Sequence, residues 1–233
     1  SGRRQLLETR FKRRELFLLF LSRFHRFPSS MCRPSDGVGT AASAGMKLLD
    51  LTFPTPQHNL ACDEALIDLC EEGYEEEILR FWEPREHFVV LGYSTRIAAD
   101  VNTDLCRAYR IPVLRRCSGG GTVLQGPGCL NFSLVLRIRD SGPMKNITEA
   151  SAFILRTHRR ALEPLIGAEV ELQGVSDLAV GRRKVSGNAQ RWKRRFFLFH
   201  GTVLLDLDIA LVEKLLVEPA QQPAYRQRRS HGD

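Results

Sequence analysis

No Cys-x-x-Cys pair and no His/Cys cluster at zinc-ligand spacing occurs among the six cysteines of this 233-residue chain. That leaves out a zinc knuckle and a dithiol redox motif, and the cysteines read as reduced thiols of a cytosolic-type protein. Long hydrophobic runs are missing as well, so no stretch of the sequence is long and apolar enough to cross a bilayer. Internal repeats and sustained low-complexity segments are absent, which excludes a solenoid or an array. A general excess of positive charge is lacking too, despite a formal net charge of +7. Residues 1–45 supply six of those seven charges, with nine Lys/Arg (Arg3, Arg4, Arg10, Lys12, Arg13, Arg14, Arg23, Arg26, Arg33) against Glu8, Glu15 and Asp36. The remaining 188 residues are close to neutral, so no global basic field for nucleic acid is built there.

What is present divides near residue 45. Residues 1–45 are Arg-rich, contain the short apolar run Leu16–Leu21 and close on the small-residue stretch Ser35–Gly45. Six apolar residues are too few for a secretory core or a membrane span, whereas an Arg-rich, acid-poor composition fits an organellar transit peptide. The second reading is spurious upstream sequence joined to a bacterial-type start at Met46. Either way the segment is expected to be a flexible basic extension outside the fold. The expected location is the cytoplasm, or a mitochondrion or plastid under the transit reading. Residues 46–233 suffice for one substantial core and are read as one domain.

Lys47–Leu51 reads as a short strand. Thr55-Pro56 opens a helix that carries Leu60, Leu66, Ile67 and Cys70 on one face and ends at Gly73. Ile78–Trp82 and His87–Gly92 read as the two strands of a hairpin, Asp100–Tyr109 as a helix, and Pro112–Arg116 and Leu130–Arg137 as strands. Thr148 is expected to cap the longest helix, which carries Phe153, Ile154, Leu162 and Leu165 and stops at Gly167. Ala168–Leu172, Asp177–Val180, Arg183–Ser186 and Phe196–Leu205 follow as strands, and Asp208–Val217 as a last helix. Hairpins dominate and helices interrupt irregularly. This predicts an α+β fold, a mixed or antiparallel β-sheet core flanked by helices, rather than a regular βαβ array.

Two stretches carry chemistry. The first is Arg115-Arg116-Cys117-Ser118-Gly119-Gly120-Gly121-Thr122. Three glycines remove every Cβ from one face of the backbone, so a ligand can lie against the main chain and take hydrogen bonds from its N–H groups. Arg115 and Arg116 would add donors in a fixed fork suited to phosphate or carboxylate. Taken alone, the run is equally a glycine-rich turn between strands. The second stretch holds Ser176-Asp177-Leu178-Ala179-Val180, Lys184-Val185-Ser186-Gly187-Asn188-Ala189-Gln190 and His200-Gly201-Thr202-Val203-Leu204-Leu205. On charge alone, residues 182–195, with seven basic residues in fourteen, are a solvated or nucleic-acid-contacting hairpin, with Trp192, Phe196, Phe197 and Phe199 as stacking groups. The embedded Ser186–Gln190 stretch, read as a small-residue turn, is something a bare basic patch does not need.

With these motifs in this order, the chain from about Met46 onward resembles the lipoate- and biotin-protein ligase catalytic-domain family, on its lipoate-protein ligase A-like side. The matching elements are RR-x-SGGG-x-V, D-L-x-V followed by K-V-SG-N-A-Q, and HGT-x-L-L. The resemblance implies a catalytic domain that attaches lipoate or octanoate to a lysine of a lipoyl-carrier domain, of the 2-oxoacid dehydrogenase E2 or glycine-cleavage H-protein type. It implies ATP and Mg²⁺ as co-substrates through an acyl-adenylate, a monomer, and neither a membrane nor a nucleic acid as partner.

A carboxylate is a poor acyl donor until its oxygen becomes a good leaving group, and adenylation achieves that. The amine that then attacks needs a carbonyl whose developing charge is stabilised. The resemblance gives that catalytic role to Lys184, whose compact ammonium can meet both the acyl carbonyl and the adenylate phosphate. Substrate and adenylate contacts fall to Arg115, Arg116, Ser118, Gly119, Gly120, Gly121, Thr122, Asn131, Asp177, Ser186, Gly187, Asn188, Ala189, His200, Gly201 and Thr202. Asp177 would hold Mg²⁺ or orient Lys184; otherwise it is a polar strand-start residue. His200 alone would be a hydrogen-bonded structural histidine, Asn131 a sheet-edge amide, and Lys184 one more surface charge.

Departures from the pattern bear on the reaction. Where lipoate ligases commonly carry His-Asp after the glycines, this chain has Gln125-Gly126-Pro127-Gly128, which is similar to octanoyl transferases that draw on acyl carrier protein through a cysteine. That route needs a thiol near Lys184. No cysteine follows Cys129, which leaves Cys117 and Cys129 as imperfect candidates better read as buried, inert thiols. The GRGR-type loop of a biotin ligase is absent. The small accessory domain common after the catalytic domain is expected to be missing, since the sequence stops at Asp233. The alternatives are therefore an octanoyl or lipoyl transferase without the ATP step, or a catalytically silent relative.

Overall fold

The computed structural model describes residues 46–217. The expectations for residues 1–45 and for the end of the chain lie outside the described residues. Among the described residues ten strands form two sheets, and five α-helices and one 3-10 turn surround them. The large sheet has the order β1 (Met46–Asp50), β2 (Glu77–Trp82), β6 (Cys129–Arg137), β10 (Phe196–Leu204), β9 (Arg183–Trp192), β8 (Asp177–Val180), β7 (Glu171–Gln173). Within this sheet only the β1/β2 pairing is parallel. The small sheet is β4 (Val113–Arg115), β3 (Phe88–Leu91), β5 (Val123–Gln125). The α+β expectation with a mainly antiparallel sheet is met.

The central strands are covered on both faces. β6 and β10 are Leu/Phe/Val-rich and buried along nearly their whole length, which suits a strand covered from both sides. One face packs Phe81, Phe132, Leu134, Phe199 and Val203 against Ile154, Leu155 and Leu162 of the long helix α4 (Ile147–Ile166). The opposite face meets Ile67 and Cys70 of α1 (Pro56–Glu71) at one end and, through Trp82, the Phe88 and Val90 side of the small sheet at the other.

Several expected boundaries hold. Thr55 caps α1 with Pro56 in the first turn, and Gly167 ends α4 in the left-handed region at φ 70°. Others are corrected. Ile78–Trp82 and His87–Gly92 are not a hairpin: β2 pairs with β1 and β6, and β3 pairs with β4 and β5. Both strands are buried on both faces, so each sits inside a sheet instead of doubling back on the other. Asp100–Tyr109 is two helices, α2 (Ile97–Asp100) and α3 (Thr103–Ala108). They part where Val101 turns extended to bridge Leu216 beside α5 (Ile209–Leu215), and Asn102 caps α3 by accepting from the Leu105 N–H at 3.2 Å. The cap of α4 is Asn146, not Thr148. Its side chain accepts from the Glu149 N–H at 2.9 Å and donates back to the Glu149 carboxylate at 3.0 Å, and asparagine outranks threonine at that position. Strand β5 is an addition to the sequence reading. The Ser186–Gln190 stretch is no turn, but the middle of the ten-residue strand β9.

One buried histidine ties this core to pH. His158 on α4 packs edge-on against Phe132, with ring centroids 4.5 Å apart, and burial drives its pKa down to about 3. The unfolded chain takes up a proton near pH 6.5 that the folded chain refuses. The stabilising difference is therefore complete above pH 6.5 and is lost as pH falls toward 3, on the order of 5 kcal/mol in all. Acid unfolding followed by circular dichroism should show this loss, and a His158→Phe protein should be flatter over that window.

Candidate active site

Register places Asn131, Asp177, Gly187, Ala189, His200 and Thr202 on one face of the large sheet, and Ser186, Asn188 and Gly201, expected beside them, on the other. Trp82 pairs with Asn131, Asn131 with Thr202, Thr202 with Gly187, and Gly187 with Asp177. Two residues along, Arg80 pairs with Ser133, Ser133 with His200, and His200 with Ala189. Paired residues and those two apart share a face, so these two rows form one buried polar band on an otherwise apolar sheet. Thr202 donates to the Asn131 side-chain oxygen at 2.5 Å and accepts from Gln125 Nε2 at 2.6 Å. The chain's departure at Gln125 thereby joins β5 of the small sheet to the large one.

The glycine loop lies over this band. A Cβ on Gly120 would stand 4.0 Å from the Ala189 Cβ, which brings the first motif onto the second. Both arginines turn out to hold backbone, Arg116 the glycine loop and Arg115 the neighbouring segment after β3. Arg115 Nη1 donates to the carbonyls of Gly92, Tyr93 and Thr95 at 2.6, 2.9 and 3.0 Å. Arg116 donates from Nε to Ser118 Oγ at 3.1 Å, and from Nη2 to the Gly119 and Gly121 carbonyls at 2.6 and 2.9 Å. Burial lowers the Arg116 pKa to about 10, which leaves it a cation at neutral pH. The free fork for phosphate or carboxylate expected of this pair is thus engaged with the backbone. The orientation it imposes serves the same end. In a planar trans peptide the N–H points opposite to the C=O, so turning the Gly119 and Gly121 carbonyls onto Arg116 turns the N–H groups of Gly120 and Thr122 the other way. Thr122 is itself held by its hydroxyl, which donates to Asp100 at 2.7 Å.

At the other end of the band, Lys184 Nζ lies 2.9 Å from Asp177 Oδ1, with the lysine 37% exposed and the aspartate 13%. A Cβ on Gly187 would fall 2.7 Å from both Cε and Nζ of Lys184. The glycine is therefore the space through which the lysine crosses its own strand to reach Asp177. Ser186 and Asn188 do different work. Ser186 donates to the Asn188 side-chain oxygen at 3.4 Å, and Asn188 donates to the Ser176 carbonyl at 2.7 Å, tying β9 to the turn before β8. Gly201 gives way to that amide.

His200 is where sequence reasoning saw least. Its Nε2 is 2.6 Å from Ser118 Oγ and its Nδ1 is 3.0 Å from Asp63 Oδ2. Asp63 Oδ1 in turn accepts from Arg80 Nη1 at 2.7 Å. Asp63, Arg80 and Asn59 were not anticipated. A signal existed, because Asp63 interrupts the apolar stripe of Leu60, Ile67 and Cys70, and Arg80 interrupts the strand Ile78–Trp82.

The basic hairpin is not a free patch. Arg191 donates to the Cys117 carbonyl at 2.7 Å with its guanidinium 5.5 Å from the Tyr93 ring centroid. Lys193 pairs with Asp68, and Arg195 with Glu75. Trp192 stacks on Phe197 at 4.4 Å, and Phe196, Phe197 and Phe199 are core residues. Lys193 and Arg195 clamp the β9–β10 hairpin onto α1 and the turn after it, Arg191 holds the chain before the glycines, and the aromatics are not presented to bases.

Thiol chemistry finds little support. Burial pushes the Cys117 thiol up to about 11 and the Cys129 thiol up to about 12, so at pH 8 only about one Cys117 in a thousand is thiolate. A Cys117→Ser, Cys129→Ser double variant should keep its turnover, measured as acceptor modification; a collapse would restore the cysteine route.

A mainly antiparallel sheet with one polar band, a glycine loop laid over it and a lysine held across a glycine make up the candidate site of a catalytic domain. The chain belongs to the lipoyl protein ligase A/B catalytic-domain family, whose pattern matches residues 55–232. It is 35% identical over 168 residues to lipoate–protein ligase 1 of Staphylococcus aureus, covering 71% of this chain and 48% of that protein. It is 31% identical over 178 residues to the octanoyltransferase LipM of Exiguobacterium sibiricum, covering 66% and 63%. The crystal structure of a lipoate-protein ligase A bound with ATP is similar at a TM-score of 0.66 and 27% identity, over 81% of this chain and 77% of that one. The chain thus spans roughly half to two thirds of the length of these curated relatives.

Proposed function

We propose that this chain is the catalytic part of a lipoate–protein ligase, which activates lipoate or octanoate with ATP and passes the acyl group to a lysine of a lipoyl-carrier domain. In the first step a carboxylate oxygen attacks the α-phosphorus of ATP and pyrophosphate leaves. In the second the carrier's uncharged amine attacks the carbonyl carbon, the bond to phosphate oxygen breaks, AMP leaves and the amine loses a proton to solvent. The observation that carries this reading is the lysine crossing Gly187 to Asp177 on the strand whose far end lies under the glycine loop. Lys184 Nζ meets charge on the carbonyl and phosphate, Asp177 orients it, and the outward N–H groups of Gly120 and Thr122 receive acyl or phosphate oxygens.

Mg²⁺ enters with the nucleotide, as a cation that keeps several waters and needs one or two carboxylates beside the phosphates. Asp177 is the carboxylate the site offers. Among the described residues no cluster of three or more His, Cys, Asp or Glu could hold a metal unaided. The acceptors proposed are carriers of the E2 and H-protein types. No described helix is long and apolar enough to cross a membrane.

The adenylating half-reaction is tested without any carrier, by exchange of labelled pyrophosphate into ATP. Exchange that requires lipoate and Mg²⁺ is expected. Its absence in a folded protein, with acyl transfer from a thioester intact, would favour the transferase reading.

A further inference from the structure

We propose that Asp63 and Arg80 are positioning residues for acyl activation, acting through His200 and Ser118 to set the shape of the glycine loop. This rests on the acyl-adenylate reading for its link to activity, though not for its geometry. Two opposite charges buried to 2% and 0% exposure are an expensive way to fill space that apolar side chains could fill as well. Here every bond is directional. Arg80 donates to the carbonyls of Leu51 and Asn59 at 3.0 and 2.9 Å, to the Asn59 side-chain oxygen at 2.7 Å and to Asp63. Asp63 is thus fixed from α1 and β2 together, with Oδ2 turned to His200.

A carboxylate only accepts, so the His200 proton sits on Nδ1 and, in the neutral ring, Nε2 is a lone pair. The Ser118 hydroxyl must then donate to Nε2. Its oxygen lone pairs are left for Arg116 Nε, whose Nη2 grips the Gly119 and Gly121 carbonyls. One chain of hydrogen bonds runs from a buried arginine beneath α1 to the peptide planes that face the ligand. If the ring adopts the other tautomer, His200 donates to Ser118, and a hydroxyl proton in a residue only 1% exposed loses its acceptor. The loop state that satisfies Arg116 is then disfavoured.

The order Ser–His–Asp is also that of an acyl-transferring triad. Burial of Ser118 and its engagement by Arg116 speak for positioning instead.

A double-mutant cycle on lipoate-dependent pyrophosphate exchange tests this. Asp63→Asn and Ser118→Ala should each lower kcat/KM by about 10- to 100-fold. Asp63→Asn in the Ser118→Ala background should add little, because the path it acts through is already cut. Independent, multiplying losses would overturn the proposal. If Asp63→Asn does not fold, His200→Gln takes its place in the cycle and leaves the Arg80–Asp63 pair intact. A readout free of activity is ¹⁵N resonance of the His200 ring with hydrogen exchange at the Gly120 and Thr122 amides. The Nδ1–H tautomer in the parent, its loss in the variant and faster exchange of those amides are expected. An unchanged tautomer and unchanged exchange would overturn the relay even in a protein that shows no exchange activity, a result which by itself would sink only the ligase reading. Covalent capture of Ser118 by a fluorophosphonate would also overturn it, making the serine a nucleophile.

Discussion

A Lys184→Ala protein should fold normally and turn over about 100- to 1,000-fold more slowly at saturating substrates. The ammonium sits 2.9 Å from Asp177 Oδ1, partly exposed, near the start of β9, where its removal costs the core nothing. Its effect falls on charge that appears in the transition state, so the loss belongs in kcat more than in substrate affinity. Lys184→Arg should recover little, because a guanidinium is wider and points a planar fork, and the passage it must use over Gly187 is already filled at 2.7 Å by Cε and Nζ. Gly187→Ala should move activity in the same direction by displacing the lysine. Its φ is not in the left-handed region, so backbone strain does not confuse the result. Near-parental turnover in a folded Lys184→Ala protein would remove the lysine from the mechanism.

Gly120→Val should abolish measurable acyl-adenylate binding, a loss on the order of 100-fold or more, with only a modest fall in melting temperature. Gly120 adopts φ +89°, a region a β-branched residue resists, and its Cβ would come 2.9 Å from Arg116 Nη2. That nitrogen cannot swing aside cheaply, because it already binds two loop carbonyls. Gly119 and Gly121 provide the contrast. A Cβ there meets nothing within 4 Å, so alanine is tolerated by the empty protein and any binding lost reports contact with the ligand itself. A Gly120→Val protein that binds a non-hydrolysable acyl-adenylate like the parent would remove the loop from the ligand site.

The site was legible where small and polar residues interrupt apolar strands. Ser-Gly-Gly-Gly, Lys-Val-Ser-Gly and His-Gly-Thr break runs that burial alone would keep apolar, and the fold gathers Gly187, His200 and Thr202 on the sheet face over which the glycine loop lies. Pairing across the sheet was not legible. The hairpin expected of β2 and β3 failed because nearness in sequence does not decide the partners of strands buried on both faces. The Ser186–Gln190 stretch resembled a turn because it holds small residues, yet Gly187 and Ala189 are small to make room on one face of β9 for Lys184 and for the glycine loop beside it. Asp63 and Arg80 join only in three dimensions. Periodicity shows each as a charge on an apolar face, but not that the two charges answer one another, nor that His200 completes the line to Ser118.

The central claim is most directly tested by the intact mass of a lipoyl-carrier domain incubated with this protein, lipoate, ATP and Mg²⁺, beside a parallel reaction in which an octanoyl thioester replaces lipoate and ATP. One lipoyl group on the carrier lysine, dependent on ATP and lost with Lys184→Ala, is the predicted result. Modification from the thioester alone, with none from lipoate and ATP, would contradict it.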